Sequence, residues 1–189
     1  SLAHLLLYQQ DAAGLTLFDQ DIRTQLPVSG SRASLSTFAG ALESSRPTGQ
    51  TDLRSAFQHL AGTLPRRGMV VVCSDLLTNL DDIILGLQRF RHRRHDVLVL
   101  HILDEDELTF PFADRTLFEG MELENVEVLT DPQTLRNSYL AALNHFISEV
   151  RHACLGNRVD YVLINTAERI DVALTAFLNT RMRMRRSKS

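Results

Sequence analysis

The sequence predicts an α/β domain with a doubly wound, mostly parallel sheet. Three short and nearly continuous apolar runs carry this prediction, at 69–73, 97–103 and 159–164. Runs of this length, rich in Val, Leu and Ile and without polar alternation, are typical of strands that are covered on both faces. Segments of helical periodicity lie between and after the runs, and an alternation of strand and helix is the signature of this fold class.

Four segments carry apolar residues at helical spacing, and each is expected to pack one face against the sheet. The apolar stripes are Leu53, Phe57, Leu60 and Leu64; Ile83, Ile84, Leu87 and Phe90; Leu135, Tyr139, Leu143, Phe146, Ile147 and Val150; and Ile170, Leu174, Phe177 and Leu178. Asp131 and Pro132 mark the start of the third helix, as its cap and its first helical residue. Thr166 is a candidate cap for the fourth.

Two regions depart from this alternation. Residues 14–18 and Ile22, on either side of a short polar turn, predict an antiparallel hairpin on one edge of the sheet. Two strand-like pieces at 116–119 and 126–129 predict a small β insertion between 110 and 130. The sheet itself is therefore built mainly from the three apolar runs.

We assign residues 1–180 to a single domain, since a chain of 189 residues is long enough to bury a substantial core. A short helix is predicted at 35–42, in a stretch rich in Ser, Gly and Ala. The tail at 181–189 is basic, and we expect it to be disordered. The chain opens inside an apolar helical segment without an initiator methionine, so we interpret the domain as truncated at its N-terminus.

The composition excludes several classes of partner. A formal net charge of −3 gives no general attraction to nucleic acid, and no apolar run is long enough to span a bilayer. The two cysteines, Cys73 and Cys154, have neither a disulfide framework nor zinc-type spacing, and we expect both to be buried. Together with the lack of an export signal, reduced thiols indicate the cytoplasm, or the cytoplasmic face of a membrane if upstream segments span it.

Candidate functional residues follow from the fold class, because open α/β sheets bind ligands outside the carboxyl ends of their strands. Three groups are predicted there: Ser74-Asp75, the loop 49–52, and the acidic run 104–107. A hydroxyl such as that of Thr51 and a carboxylate such as that of Asp75 are oxygen ligands that suit Mg²⁺. Each group also has a purely structural explanation, which is favoured when the group is taken alone.

Those structural explanations are helix caps and solvated loops. Thr51 is a good N-cap, and Asp52 in the first turn suits the helix dipole. Asp75 is a candidate cap for the helix that follows it, and the run 104–107 is typical of a solvated loop. Only the combination of these groups at one edge of the sheet points to a binding site.

The ordered series of motifs resembles domain-of-unknown-function family 58, over nearly the whole chain. The matching segments are 10–15 with Phe18-Asp19; Thr51-Asp52-Leu53; 66–72 with Ser74-Asp75-Leu76-Leu77; 95–104; Glu107-Leu108 with Phe110-Pro111-Phe112; Asp131-Pro132 with Leu135, Arg136 and Tyr139; and 173–181. Members of this family are similar to von Willebrand factor A domains and are typically encoded beside AAA+ ATPases of the MoxR class. The resemblance therefore implies a von Willebrand factor A-like fold.

The resemblance also implies a metal-ion-dependent adhesion site that binds Mg²⁺ or Mn²⁺. The second-loop threonine of such a site matches Thr51, the third-loop aspartate matches Asp75, and Ser74, Asp52 and Asp104 would lie around its rim. The first-loop motif Asp-x-Ser-x-Ser is absent from this chain and is expected upstream. An acidic side chain of a protein partner would complete the metal's coordination, which makes the chain a binding module rather than an enzyme, working with a MoxR-class ATPase in the assembly or maturation of other proteins.

Two alternatives remain open. The first is a Mg²⁺-dependent hydrolase that uses Asp75 and the carboxylates of 104–107, although no general base is identifiable in the sequence. The second is a scaffold whose metal site is vestigial. The histidines add little, since His101 lies in a strand run and is expected to be a buried, hydrogen-bonded imidazole. His92 and His95 belong to a basic helix end, which is expected at the opposite edge of the sheet and in solvent.

Overall fold

The computed structural model confirms the alternation of strands and helices. It describes residues 2–46, 51–64, 67–112, 116–119, 127–130, 132–170, 172 and 174–175. The elements in chain order are α1 (Leu2–Tyr8), β1 (Ala13–Phe18), β2 (Ile22–Ser29), α2 (Ser34–Ser44), α3 (Leu53–Thr63), β3 (Met69–Ser74), α4 (Leu80–His92), β4 (Asp96–Leu103), α5 (Glu105–Thr109), β5 (Thr116–Glu119), β6 (Glu127–Thr130), α6 (Pro132–Gly156) and β7 (Asp160–Asn165). The predicted cap Asp131 and the predicted disordered tail lie outside the described residues.

The three apolar runs form one parallel sheet with the order β3-β4-β7. The register aligns Val72 with Val99 and Val99 with Tyr161, so the three strands end at the same edge. The observed strands agree with the predicted runs to within one residue at each end. This agreement reflects the burial of both faces of the central strand, on which Val97, Leu98 and Val99 are all at most 2% exposed.

The predicted hairpin and β insertion are both present as antiparallel strand pairs, β1 with β2 and β5 with β6. The hairpin was expected to extend the edge of the main sheet. Among the described residues, however, it forms a two-stranded sheet of its own. Within the same residues, β3 pairs only with β4, so β3 is an edge strand of the parallel sheet.

Helices α3, α4 and α6 pack together on one face of the parallel sheet. Their apolar stripes meet in the main core, where Phe57 and Phe90 contact each other edge to face with ring centroids 5.4 Å apart. Gly86 of α4 lets the two helices approach closely, because a Cβ atom at this position would overlap the Phe57 ring. On the opposite face of the sheet, Leu174 packs against a second cluster that is centred on Leu98 and Leu100.

The direction of α3 and α4 brings both of their N-termini to the carboxyl edge of the sheet. Arg54 near the start of α3 lies 3.5 Å from Asp82 in the first turn of α4. Further along, the Arg89 guanidinium donates to the Gln58 side chain at 3.2 Å. The helices are therefore parallel to each other and antiparallel to the strands that they connect.

Two burial predictions were wrong. Cys154 is fully buried as expected, but Cys73 is exposed, because it lies on the edge strand β3 and faces away from α3 and α4. His95 was expected in solvent and is only 2% exposed. Arg94 before it takes a left-handed conformation (φ 65°), and the His95 ring then packs against Phe90 and accepts the Gly68 N–H at Nδ1, 3.2 Å away.

No helix in the described part of the chain combines the length and the apolar character that a bilayer crossing requires.

Candidate functional site

Thr51 and Asp75 both lie at the carboxyl edge of the parallel sheet. Asp75 follows the last residue of β3 directly, and Thr51 precedes the N-cap of α3. The start of α3 lies at the same edge as the end of β3, because Arg54 in the first turn of α3 contacts Asp82 in the first turn of α4, and α4 follows β3 along the chain. Both residues are exposed to solvent. The structure therefore places the predicted hydroxyl and the predicted carboxylate on the same rim.

The loop that carries Asp75 is held by short-range hydrogen bonds. Oδ1 of Asp75 accepts the Leu77 N–H at 3.3 Å and the Ser74 hydroxyl at 3.4 Å. The Ser74 hydroxyl oxygen also accepts the Leu76 N–H at 3.0 Å. Within the described residues, Oδ2 of Asp75 has no hydrogen-bond partner. Asp75 is not the cap of α4, since Asn79 takes that role and accepts the Asp81 N–H at 2.8 Å.

Leu76 gives this loop an unusual backbone. Its φ angle is +56°, in the left-handed region, and its side chain is fully buried in the main core. A residue with a Cβ pays about 1–2 kcal/mol for this conformation, which persists only where surrounding contacts impose it. The Leu76 carbonyl also accepts the Thr78 N–H at 2.7 Å, which closes a tight turn. The Asp75 loop is therefore strained and anchored in the core.

His101 binds the same loop from the interior of the domain. It is fully buried, as the sequence predicts, and both ring nitrogens have partners. Nε2 donates to the backbone carbonyl of Asp75 at 2.8 Å, and Nδ1 accepts the Tyr161 hydroxyl at 2.7 Å. Burial lowers the pKa of His101, which favours the neutral ring. The contact with Asp75 was not predicted, although a polar residue inside an apolar strand was a signal that something had to bind it.

The second half of the site begins at Asp52. Its carboxylate accepts the Ser55 N–H at 2.9 Å, so Asp52, and not Thr51, is the N-cap of α3. The Asp52 N–H donates to the carbonyl of Asp19 at 2.9 Å, which ties the start of α3 to the hairpin turn. Thr51 makes no hydrogen bond to another described residue. Its hydroxyl is therefore not needed for capping and is available to a ligand.

Asp19 is a structural carboxylate that sequence reasoning missed. It is 6% exposed, and it binds the Arg23 guanidinium at 2.6 Å. Its Oδ1 also accepts the Asp21 N–H at 3.2 Å, in the turn between β1 and β2. The spacing Asp-x-Asp in a predicted turn was the available signal, since aspartate side chains commonly bind the backbone two residues on.

The acidic run 104–107 is neither a solvated loop nor an open ligand set. Asp104 caps α5 and forms a capping box with Glu107, whose carboxylate accepts the Asp104 N–H at 2.7 Å. The Thr166 hydroxyl donates to Asp104 at 2.6 Å and lowers the pKa of that carboxyl. Glu105 accepts a hydrogen bond from the Asn165 side chain. Asp104 and Glu105 thus join α5 to the end of β7, while Glu107 closes the first turn of α5.

Carboxylates predominate at the carboxyl edge of the sheet, where Arg54 pairs with Asp82, and basic side chains predominate at the opposite edge, where Asp96 pairs with Arg91. The carboxyl edge carries Asp52, Asp75, Asp81, Asp82, Asp104, Glu105, Asp106 and Glu107. The opposite edge carries Arg89, Arg91, His92, Arg93, Arg94 and Arg158, at the ends of α4 and α6. The negative rim attracts cations, and the basic helix end lies opposite to it, as predicted.

The donors at this rim fit a hard cation but do not complete its shell. Thr51, Ser74 and Asp75 offer hydroxyl and carboxylate oxygens, which Mg²⁺ and Mn²⁺ prefer. In the described part of the chain, no group of three or more His, Cys, Asp and Glu side chains is arranged to hold a metal ion. Thr51 and Asp75 would therefore be two ligands of an incomplete set.

The capping role of Asp52 can be separated from a ligand role of Thr51. We expect Asp52→Ala to lower the free energy of unfolding by about 1 kcal/mol, because the Ser55 N–H loses its acceptor. Thr51→Ala should change stability by less than about 0.5 kcal/mol, as is usual for an exposed side chain. Urea unfolding of both variants measures the difference. Equal destabilisation by the two changes would contradict this assignment.

The comparisons with known proteins agree with the observed fold. The conserved hypothetical protein BatB from Bacteroides thetaiotaomicron is 16% identical, with a TM-score of 0.57 over 96% of this chain and 85% of that one. An aerotolerance-related membrane protein from Bacteroides fragilis, solved with multiple mutations to serine, is 15% identical, with a TM-score of 0.50 over 94% of this chain and 87% of that one. Similarity at these identities establishes a shared fold, and it confirms the predicted von Willebrand factor A-like α/β class.

A search of the curated proteins found no match. The family described as Protein of unknown function DUF58 matches residues 1–146, a range that includes both Thr51 and Asp75. The chain therefore belongs to this family.

Proposed function

We propose that the chain is a protein-binding module that uses a divalent cation, Mg²⁺ or Mn²⁺, at Thr51 and Asp75. The cation connects these two residues to an acidic side chain of a protein partner, as in a metal-ion-dependent adhesion site. The observation that carries the proposal is the exposure of both residues on one rim, with Oδ2 of Asp75 unbonded to any described residue. Metal–ligand bonds form in this process, and no covalent bond of either protein is made or broken.

The charge of the rim explains why a metal would be required. An acidic partner that approached Asp75 directly would meet a concentration of carboxylates at the carboxyl edge, and like charges in close contact are costly. A divalent cation between the two carboxylates reverses this repulsion. Mg²⁺ takes about six oxygen ligands and commonly keeps several waters, so two side chains of this chain leave room for the partner's carboxylate.

The proposed partner is an AAA+ ATPase of the MoxR class, which would supply the ATP turnover for the assembly or maturation of other proteins. This proposal rests on the resemblance to the family and on membership in it. The proposed location is the cytoplasm or the cytoplasmic face of a membrane. The description of the Bacteroides fragilis protein as a membrane protein is compatible with the second of these.

The geometry gives less support to a hydrolase at the same rim. The carboxylates of Asp104, Glu105 and Glu107 are occupied by hydrogen bonds within the chain. The imidazole that contacts the Asp75 loop, His101, is fully buried with both nitrogens bonded, so it cannot serve as a general base to a ligand on the rim.

The test is a calorimetric titration of the full-length protein with Mn²⁺ and with Mg²⁺. Loss of an outer-shell partner commonly weakens a metal site by about 10–100-fold, so Asp75→Ala, which removes a direct ligand, should weaken binding by at least about tenfold. Thr51→Val should also weaken it, because the hydroxyl is lost while the shape is kept. Asp81→Ala removes an exposed carboxylate from the same rim and serves as the matched control, with unchanged affinity expected.

Partner binding is measured next, by pull-down of the MoxR-class ATPase with and without EDTA. Wild type and Asp81→Ala should retain the ATPase only in the presence of metal, and Asp75→Ala should lose it. Equal retention by Asp75→Ala and wild type would remove the adhesion-site proposal. An intact protein that takes up neither Mg²⁺ nor Mn²⁺ would instead support a scaffold with a vestigial site.

A further inference from the structure

A series of buried hydrogen bonds connects β7, through β4, to the loop after β3. Tyr161 on β7 contacts Nδ1 of His101 on β4 at 2.7 Å, and Nε2 of His101 contacts the Asp75 carbonyl at 2.8 Å. The strand register brings these residues within reach, because His101 pairs with Ser74, which precedes Asp75, and with Leu163, which lies two residues after Tyr161 and on the same face of β7. These hydrogen bonds are covered by α6, where Phe146 packs edge-on against the His101 imidazole with ring centroids 6.1 Å apart.

The donor and the acceptor of each hydrogen bond in this series are fixed by the groups at its two ends. A backbone carbonyl only accepts, so Nε2 of His101 must carry a proton. In the neutral ring Nδ1 then has a lone pair and accepts, so the Tyr161 hydroxyl donates to it. Burial raises the pKa of Tyr161 to about 12, which keeps this donor protonated. The structure thus selects one tautomer of His101.

The Asp75 carbonyl is the group through which these hydrogen bonds hold the loop at the carboxyl edge. It is directed inward to His101, while the Asp75 side chain is exposed to solvent. The next residue, Leu76, holds a left-handed φ of +56° that costs free energy. The inward carbonyl and the buried Leu76 side chain together fix the peptide between these two residues. Without the His101 donor, the peptide would be free to rotate toward an unstrained conformation.

We infer that His101, aligned by Tyr161, is a positioning residue that holds the Asp75 loop in the conformation needed to bind a cation. This inference rests on the proposed metal site and extends it by two residues that do not touch the metal. Buried donors behind a ligand are a common feature of metal sites, since they set the orientation of the ligand before the metal arrives. If His101 contributed only to stability, its replacement in a folded variant would leave the affinity for the cation unchanged.

The test combines Mn²⁺ titration with NMR of the full-length protein. His101→Leu removes the donor and should weaken Mn²⁺ binding by about 10–100-fold, as is usual for outer-shell partners. His101→Gln restores an N–H donor and should recover most of the affinity. His95→Leu is the matched control, because it removes another buried histidine with a backbone hydrogen bond, at the opposite edge of the sheet. It should leave Mn²⁺ affinity unchanged.

The NMR measurement does not depend on metal. The ¹⁵N shifts of the His101 ring should show the Nε2–H tautomer in metal-free wild type. In metal-free His101→Leu, the amide signals of Leu76 and Leu77 should move, whereas His95→Leu should leave them in place. Tyr161→Phe removes the donor to Nδ1 and should change the His101 ring shifts. If His101→Leu does not fold, Tyr161→Phe and His101→Gln carry both measurements.

These readouts separate the inference from the proposed function. If wild type takes up no Mn²⁺ but the tautomer and the loop shifts are as expected, the metal site is wrong and His101 still positions the loop. If wild type binds Mn²⁺ and His101→Leu binds it equally well, the inference is overturned while the metal site stands. An Nδ1–H tautomer, or equal weakening by His95→Leu, would also overturn the inference.

Discussion

Replacement of Gly86 by alanine is expected to lower the free energy of unfolding by about 1–3 kcal/mol, the usual cost of overpacking a core. A Cβ atom at this position would overlap Cδ2 of Phe57 and lie 2.8 Å from its Cγ and 2.9 Å from its Cβ. Phe57 cannot move away easily, because it is 1% exposed and packs against Phe90. In a domain of this size, each kcal/mol corresponds to roughly 2–4 °C in melting temperature.

The matched control is Gly62→Ala, since a Cβ atom on Gly62 would have no heavy atom within 4 Å. Gly62 lies in the last turns of α3, where alanine is favoured over glycine by up to about 1 kcal/mol. The two variants should therefore change stability in opposite directions in urea unfolding. A Gly86→Ala protein as stable as wild type would mean that α3 and α4 do not pack as closely as described.

The strands and helix faces could be predicted from the sequence, whereas the close contact of α3 and α4 at Gly86 could not. The parallel strands could be located because the runs 69–73 and 97–103 are apolar without alternation, a pattern typical of strands in parallel sheets. Only β4 is buried on both faces, since Met69 and Cys73 of β3 are exposed. Helical stripes likewise predicted which faces of α3 and α4 are buried. What the stripes did not reveal is that Gly86 is the contact point, since a glycine gives no signal of its own in a hydrophobic pattern.

The sequence predicted the location of the candidate site but not the contacts between its residues. Open α/β sheets bind ligands outside the carboxyl ends of their strands, so Thr51 and Asp75 were expected together from the fold class alone. The capping of α3 by Asp52 depends on the exact start of the helix, which local preference does not fix to one residue. The contact between His101 and Asp75, which are 26 residues apart in the sequence, depends on the register of β3 and β4. No local pattern carries that information.

The protonation state of His101 should be visible in the stability of the domain. Burial lowers the pKa of His101 below its ordinary value of 6.5, and this outweighs the opposite effects of the Asp75 carbonyl and charge. The folded protein therefore binds the proton less readily than the unfolded chain does. The resulting stabilisation is complete above pH 6.5 and is lost as the pH falls toward the lowered pKa of the folded state. The slope for one proton is at most about 1.4 kcal/mol per pH unit.

We expect wild type to lose stability relative to His101→Gln as the pH falls below 6.5, because glutamine does not titrate. Tyr161 and Cys154 have pKa values of about 12 and stay uncharged in this range. All other ionisable side chains are common to the two proteins, so the difference between their profiles isolates His101. Urea unfolding at several pH values, with EDTA present to remove metal, measures it. Parallel pH profiles would show that the folded state does not discriminate against the protonated imidazole. A divergence only below pH 6.5, and not above it, would show that the ring beneath Asp75 is held neutral, as a donor to that carbonyl and an acceptor from Tyr161.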